Sequence, residues 1–286
     1  MVAVWPAGAV QGAAAHRQRW TDSRKPGPED MKTMRPPSSK TGRTTEGCYA
    51  APLLDCDGGP LTNEHYLSEA LLRKFPKTFM AAGLSWLAEP RNIPPRGLQA
   101  KILCKRHNNA LSPLDTTIAR LFDVLFRAEQ GCNVGAHEFD GESLERWALK
   151  VLLGLVTSGN FFGAEGKAMA VPELHLRILF GEETFPQGCG FYYIGDPVKG
   201  LDADLLNAAV NRYPPGDAEE GSIFGITIRL AWLRFLTTVT ARISAGQPRL
   251  VHRPGGLQLG VPERGRIGLR WDLPSMTGLI VRMPER

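Results

Sequence analysis

The sequence has no apolar run near the roughly 20 residues that a bilayer-spanning helix needs, so a helical membrane anchor is not expected. It has no internal repeat, no Walker loop, no G-x-G-x-x-G and no serine-nucleophile elbow. Repeat arrays, P-loop and dinucleotide chemistry and serine hydrolysis therefore have no foothold in it. Aromatic residues make up only 8% of the chain. There are five cysteines, too few for a disulfide scaffold in a chain this long, and they read as metal ligands or buried thiols. The first fifteen residues are small and apolar but lack a basic start, which argues against a signal peptide. A cytoplasmic location is the expectation.

What is present is an ordinary globular composition, 43% hydrophobic and 22% charged over 286 residues. That is enough chain for one large or two modest domains with a real core. The formal net charge is +5 and the pI about 9.0. Residues 1–47 hold eight Lys or Arg against four acids, so most of the surplus sits in a tail. A basic chain suits an acidic polymer as partner, but here the charge alone does not locate one.

Three segments follow. Residues 1–46 are rich in Pro, Gly, Ser and charge without apolar periodicity, and are expected to be a disordered basic tail. Met31 and Met34 near its end offer alternative starts. Residues 47–130 begin with GCYAAPLLDCDG, a loop or short hairpin with a cysteine at each end. A helix is expected after Ser68 as N-cap, then a strand at LQAKILC, a turn at Ser112-Pro113 and a long helix through Leu121 and Leu125. Residues 139–286 open on an apolar helix with Ser143 as expected N-cap. Strand-like runs follow, with Gly255-Gly256 as a hairpin turn. The fold class is α+β, with an antiparallel sheet in the C-terminal domain.

Two half-sites carry the chemistry. The first is Cys48, seven residues, Cys56, then Glu64-His65. The second is Cys104-x2-His107, then Asn108 and Asp115. Three thiols and an imidazole from two short half-sites suit a structural Zn²⁺, although the first pair is spaced more widely than usual. Buried thiols and a turn-capping histidine are the plain alternative. Beside the quartet, His65 can act as a general base, while Glu64, Asn108 and Asp115 are hard oxygen donors suited to Mg²⁺ or another divalent cation.

The run C…C…LTNEHYLS…ILCKRHNNALSPLD resembles the zinc-containing branch of the HNH (His-Asn-His) endonuclease superfamily over about residues 47–130. The resemblance implies a ββα-metal module: two strands, then a helix, around a metal. It implies His65 as general base, Asn108 as the middle position of the motif, and Glu64 as a metal-binding carboxylate. Cys48, Cys56, Cys104 and His107 become the structural zinc ligands, and DNA phosphodiester hydrolysis the activity. The sequence departs from the pattern at the last histidine, since none follows Asn108 before His137. Asp115 stands near that place. A zinc-stabilised module that binds nucleic acid or a protein without cleaving is the alternative.

The neighbours have plainer readings. Lys105 and Arg106 fit a solvated pair, Arg73, Lys74 and Lys77 a helix C-terminus, and Trp86 and Trp147 a core. The C-terminal domain carries Arg229, Arg234, Arg242, Arg249, Arg253, Arg264, Arg266 and Arg270. Its strands can serve target recognition, ligand sensing or a homodimer interface, and the sequence does not choose among them.

Overall fold

The computed structural model describes residues 3–6, 40–74, 79–82, 84–159, 170–195, 206–213, 217, 221–231, 233–241, 250–259, 265–272 and 276–283. The expected disorder over residues 7–39, together with Lys77, Arg242, Arg249 and Arg264, lies outside them. The fold is α+β.

The chain runs β1 (Ala3–Pro6), β2 (Leu61–His65), α1 (Glu69–Leu72), β3 (Phe79–Ala82), β4 (Arg91–Ile93), β5 (Gln99–Cys104) and α2 (Lys105–Glu129). After these come β6 (Gly135–Asp140), α3 (Gly141–Thr157), α4 (Glu173–Leu179), β7 (Gly190–Ile194) and β8 (Leu206–Arg212). The chain closes with β9 (Ile223–Leu230), β10 (Leu233–Thr238), β11 (Leu250–His252), β12 (Pro254–Leu259), β13 (Gly265–Arg270) and β14 (Met276–Met283). Within the expected tail, Ala3–Pro6 pairs antiparallel with β3, which extends to β4.

β2 and β5 form a separate antiparallel pair, with Leu61 opposite Cys104 and His65 opposite Gln99. α2 then starts directly after Cys104. It contains Pro113, where the sequence suggests a turn. The helix accommodates it because only one backbone N–H is missing and ten residues, from His107 to Ala128, are buried along the helix.

α3 is buried along nearly its whole length. Its N-cap is Asp140, not Ser143: the carboxylate accepts from the N–H groups of Glu142 and Ser143. Ser143 instead donates its hydroxyl to the same carboxylate. On one side α3 meets α2, and on the other the five-stranded antiparallel sheet β11-β7-β10-β9-β8. Phe191, Phe235, Ile226 and Ile228 from that sheet are buried.

A second sheet has the order β14-β12-β13-β6 and is mixed: β12 and β13 pair antiparallel, while the outer pairs are parallel. Gly255-Gly256 lies inside β12 rather than in a turn. A Cβ at Gly256 would sit 2.8 Å from the Ile267 carbonyl oxygen, so glycine there permits close strand approach. The corner before β12 falls at Arg253, with φ of 42°. Trp147 is buried as expected, whereas Trp86 is 40% exposed with Arg91 over its ring. Among the described residues no helix is long and apolar enough to cross a membrane.

Candidate metal centre

The four sulfur and imidazole candidates arrive from three places in the chain. Gly47 turns the backbone at φ of 78°, and the Cys48 N–H then donates to the Thr45 carbonyl. The next residue, Tyr49, donates its N–H to the Ile102 carbonyl at 3.0 Å, fixing Cys48 beside the end of β5. A single turn of 3-10 helix, Ala51–Leu53, reverses the chain, and the Cys56 N–H closes onto the Arg43 carbonyl. Asp55, just before Cys56, accepts from the Thr41 N–H and pairs with Arg106 at 3.0 Å. Asp57, just after it, accepts the Arg106 N–H in the first turn of α2. Cys56 is thus held from both sides by carboxylates that fasten its loop to α2.

Cys104 ends β5 and is the N-cap of α2, and His107 lies in the first helical turn. Strand-to-helix geometry therefore turns the Cys104 sulfur and the His107 ring to one side. Nδ1 of His107 lies 3.2 Å from Cys104 Sγ, 3.6 Å from Cys48 Sγ and 3.8 Å from Cys56 Sγ. One donor atom from each of the four falls within 4.8 Å of all the others. A tetrahedral ion with ordinary sulfur and nitrogen bond lengths holds its donors roughly 3.5–3.8 Å apart. The Cys104 N–H also points at Cys48 Sγ, at 3.4 Å. The quartet can hold a metal ion.

Its environment is closed. All four residues are buried, with none above 4% exposed. Such a site has no open position for substrate, which is the mark of a structural rather than a catalytic ion. Burial pushes the Cys48 thiol up to about 12 and lifts Cys56 as well, while it lowers His107. Without an ion Cys48, Cys56 and His107 favour their neutral forms, and a dication reverses the preference for those two thiols. Among the described residues His107 Nε2 is buried without a hydrogen-bond partner, and its ring lies 4.9 Å from that of Phe180.

The second constellation is arranged differently from the expectation. Glu64 is buried, and Lys150 of α3 reaches its carboxylate at 2.6 Å. The same ammonium meets both oxygens of Asp115, at 2.7 and 2.8 Å. Glu64 and Asp115 do converge, but on a lysine only 1% exposed. Burial alone would lower Lys150; the charges of Asp115 and Glu64 outweigh it and hold the ammonium above the usual lysine range. Burial raises the Glu64 carboxyl, with Lys150 opposing.

His65 is half-buried at the end of β2. Successive strand residues face opposite ways, so Glu64 turns inward and His65 leaves on the other side. The two neighbours therefore do not offer one shared pair of donors. Burial lowers the His65 pKa, and no hydrogen bond reaches its ring among the described residues. Asn108 does not orient that ring. Its amide N–H donates to the Thr62 hydroxyl at 2.9 Å and to the Asn63 carbonyl at 3.2 Å, stitching the first turn of α2 to β2.

Sequence reasoning missed Lys150, Tyr49, Asp55 and Asp57. Lys150 carried a partial signal: a charge set between Ala148-Leu149 and Val151-Leu152 tends to be buried with a partner, although the sequence does not name the partner. Comparison with known protein families, with curated proteins and with solved structures gave no match.

Proposed function

We propose that this chain binds nucleic acid through a zinc-stabilised ββα module of the HNH type, and that it does so without hydrolysing the bound strand. Zinc suits the quartet because three thiolates and an imidazole in a closed tetrahedral set are its preferred donors. β2, β5 and α2 supply the two strands and the helix. In that unit Asn63 and Lys101, opposite each other on β2 and β5, and Lys105 and Asn109 on α2 are all exposed, residue types suited to backbone phosphates.

The observation that carries the absence of cleavage is Lys150. Hydrolysis by a single metal ion needs hard oxygen donors open to a divalent cation. Of the three donors that the sequence offers, Glu64 and Asp115 already share an ammonium, and the Asn108 amide is tied to Thr62 and Asn63 of β2. The experiment is a pair of assays on the full chain, with zinc content measured alongside. Supercoiled plasmid should remain unnicked with Mg²⁺, Mn²⁺ or Ni²⁺. A labelled oligonucleotide should bind with an affinity that falls steeply as salt rises. No oligonucleotide binding at low salt, or nicking that depends on the divalent ion, removes this reading.

A second reading, a metal-dependent endonuclease acting on DNA, is favoured by His65. Its lowered pKa keeps the imidazole neutral near neutral pH, as a general base requires, and its ring has no hydrogen bond among the described residues. If the plasmid is nicked, His65→Ala should lower the rate by roughly 10²–10⁴-fold while zinc content stays unchanged.

A further inference from the structure

We propose that Glu64 and Asp115 form a divalent-cation pocket that Lys150 fills from within the chain, its ammonium taking the ion's place and keeping the pocket shut. This rests on the non-hydrolysing reading and says what enforces it.

The geometry is that of donors around a common centre. Glu64 comes from β2 and Asp115 from α2, two elements distant in sequence, yet one atom lies 2.6 to 2.8 Å from three of their oxygens. Hard divalent cations bind carboxylate oxygens at about 2.0–2.6 Å, so a small contraction would bring these oxygens into ligating range. The Tyr49 hydroxyl is buried with no hydrogen-bond partner among the described residues; burial first, then the charges of Glu64, Cys48 and Asp115, hold it above the usual tyrosine range. Glu64 meets the Lys150 ammonium through Oε1, at 2.6 Å.

Charge points the same way. Two carboxylates facing one ammonium leave an excess negative charge in a buried place, which a dication would cancel. The occupant also belongs to a third element. Lys150 projects from α3, so removing its side chain leaves β2 and α2 with their carboxylates in place.

The test uses the zinc-loaded full chain and Mn²⁺ as probe, with free Mn²⁺ followed by its electron paramagnetic resonance signal. Wild type should take up no Mn²⁺. Lys150→Ala should bind one ion per chain, about tenfold or more tighter than any wild-type uptake, and adding Glu64→Gln should abolish the gain. Equal uptake by wild type and Lys150→Ala overturns the proposal, as does uptake indifferent to Glu64→Gln. If Lys150→Ala does not fold alone, it is refolded with Mn²⁺ and, separately, with K⁺. Recovery with Mn²⁺ only supports the pocket, and failure with both overturns it. Plasmid nicking by wild type would remove the non-hydrolysing reading, and it is scored in a separate assay from Mn²⁺ uptake.

Discussion

At the scale of the residue, the quartet turns on whether three thiols can ionise where they lie. Burial holds Cys48 up at about 12 and lifts Cys56 above the ordinary thiol value of 9.0. In the metal-free chain a raised thiol pKa adds stability below about pH 9, and that stability is lost as pH rises through about 12. Metal binding has the opposite sign, since it needs the thiolates and expels their protons. Zinc should therefore pass to a competing chelator more completely at about pH 6 than at about pH 8, with protons released on reloading, both measurable with a zinc indicator and a pH dye. Cys104→Ser should lose the ion at either pH, because it replaces the sulfur that makes the shortest contact with His107 by a hydroxyl that does not ionise in this range. A variant that keeps full zinc would remove Cys104 from the ligand set. The four positions were legible in the sequence because thiol and imidazole chemistry restricts where such residues group. Lys150 was not read, since nothing along the chain says which carboxylates a buried lysine will meet.

At the scale of the element, α3 shows how a boundary can be read and yet misplaced. The apolar stretch from Leu144 to Val156 announces a buried helix. Sequence reasoning places the cap at Ser143 and passes over Asp140, three residues earlier. The structure selects Asp140, whose carboxylate reaches the Glu142 and Ser143 N–H groups at 3.1 and 3.2 Å. A cap carboxylate at a helix N-terminus also opposes the positive end of the dipole. Asp140→Ala should cost about 1 kcal/mol, read as a lower urea midpoint at unchanged slope, whereas Ser143→Ala should cost less because its backbone N–H remains bonded. Equal losses in the two variants would return the cap to Ser143. The two glycines of β12 were misread for a related reason. A Gly-Gly pair signals a turn locally, and only the neighbouring strand reveals that the missing Cβ makes room for the Ile267 carbonyl.

At the scale of the molecule, α3 fastens the half that carries the Cys/His cluster to the sheets by two largely buried sets of ion pairs. Lys150 holds Glu64 and Asp115. Five residues earlier, Glu145 binds Arg253 at 2.7 and 3.1 Å at the corner between β11 and β12, and accepts the Phe191 N–H. Between these pairs lies Trp147, fully buried, and one continuous cluster of buried residues runs from Cys48 to Trp271. The α+β class could be read from periodicity, but this continuity could not, because it depends on which faces of α3 meet which partners. Breaking a buried ion pair by removing one member costs roughly 3–5 kcal/mol, so neither half can shed the other cheaply. Removing zinc should therefore destabilise the whole chain and not only its first third. With zinc present, the fluorescence of the buried tryptophans and the release of zinc should follow one thermal transition. After chelation the fluorescence transition should move to lower temperature, by several degrees for each kcal/mol lost. A fluorescence transition left in place by chelation would mean that α3 and the sheets stand without the metal centre, and that the two ion pairs do not couple the halves.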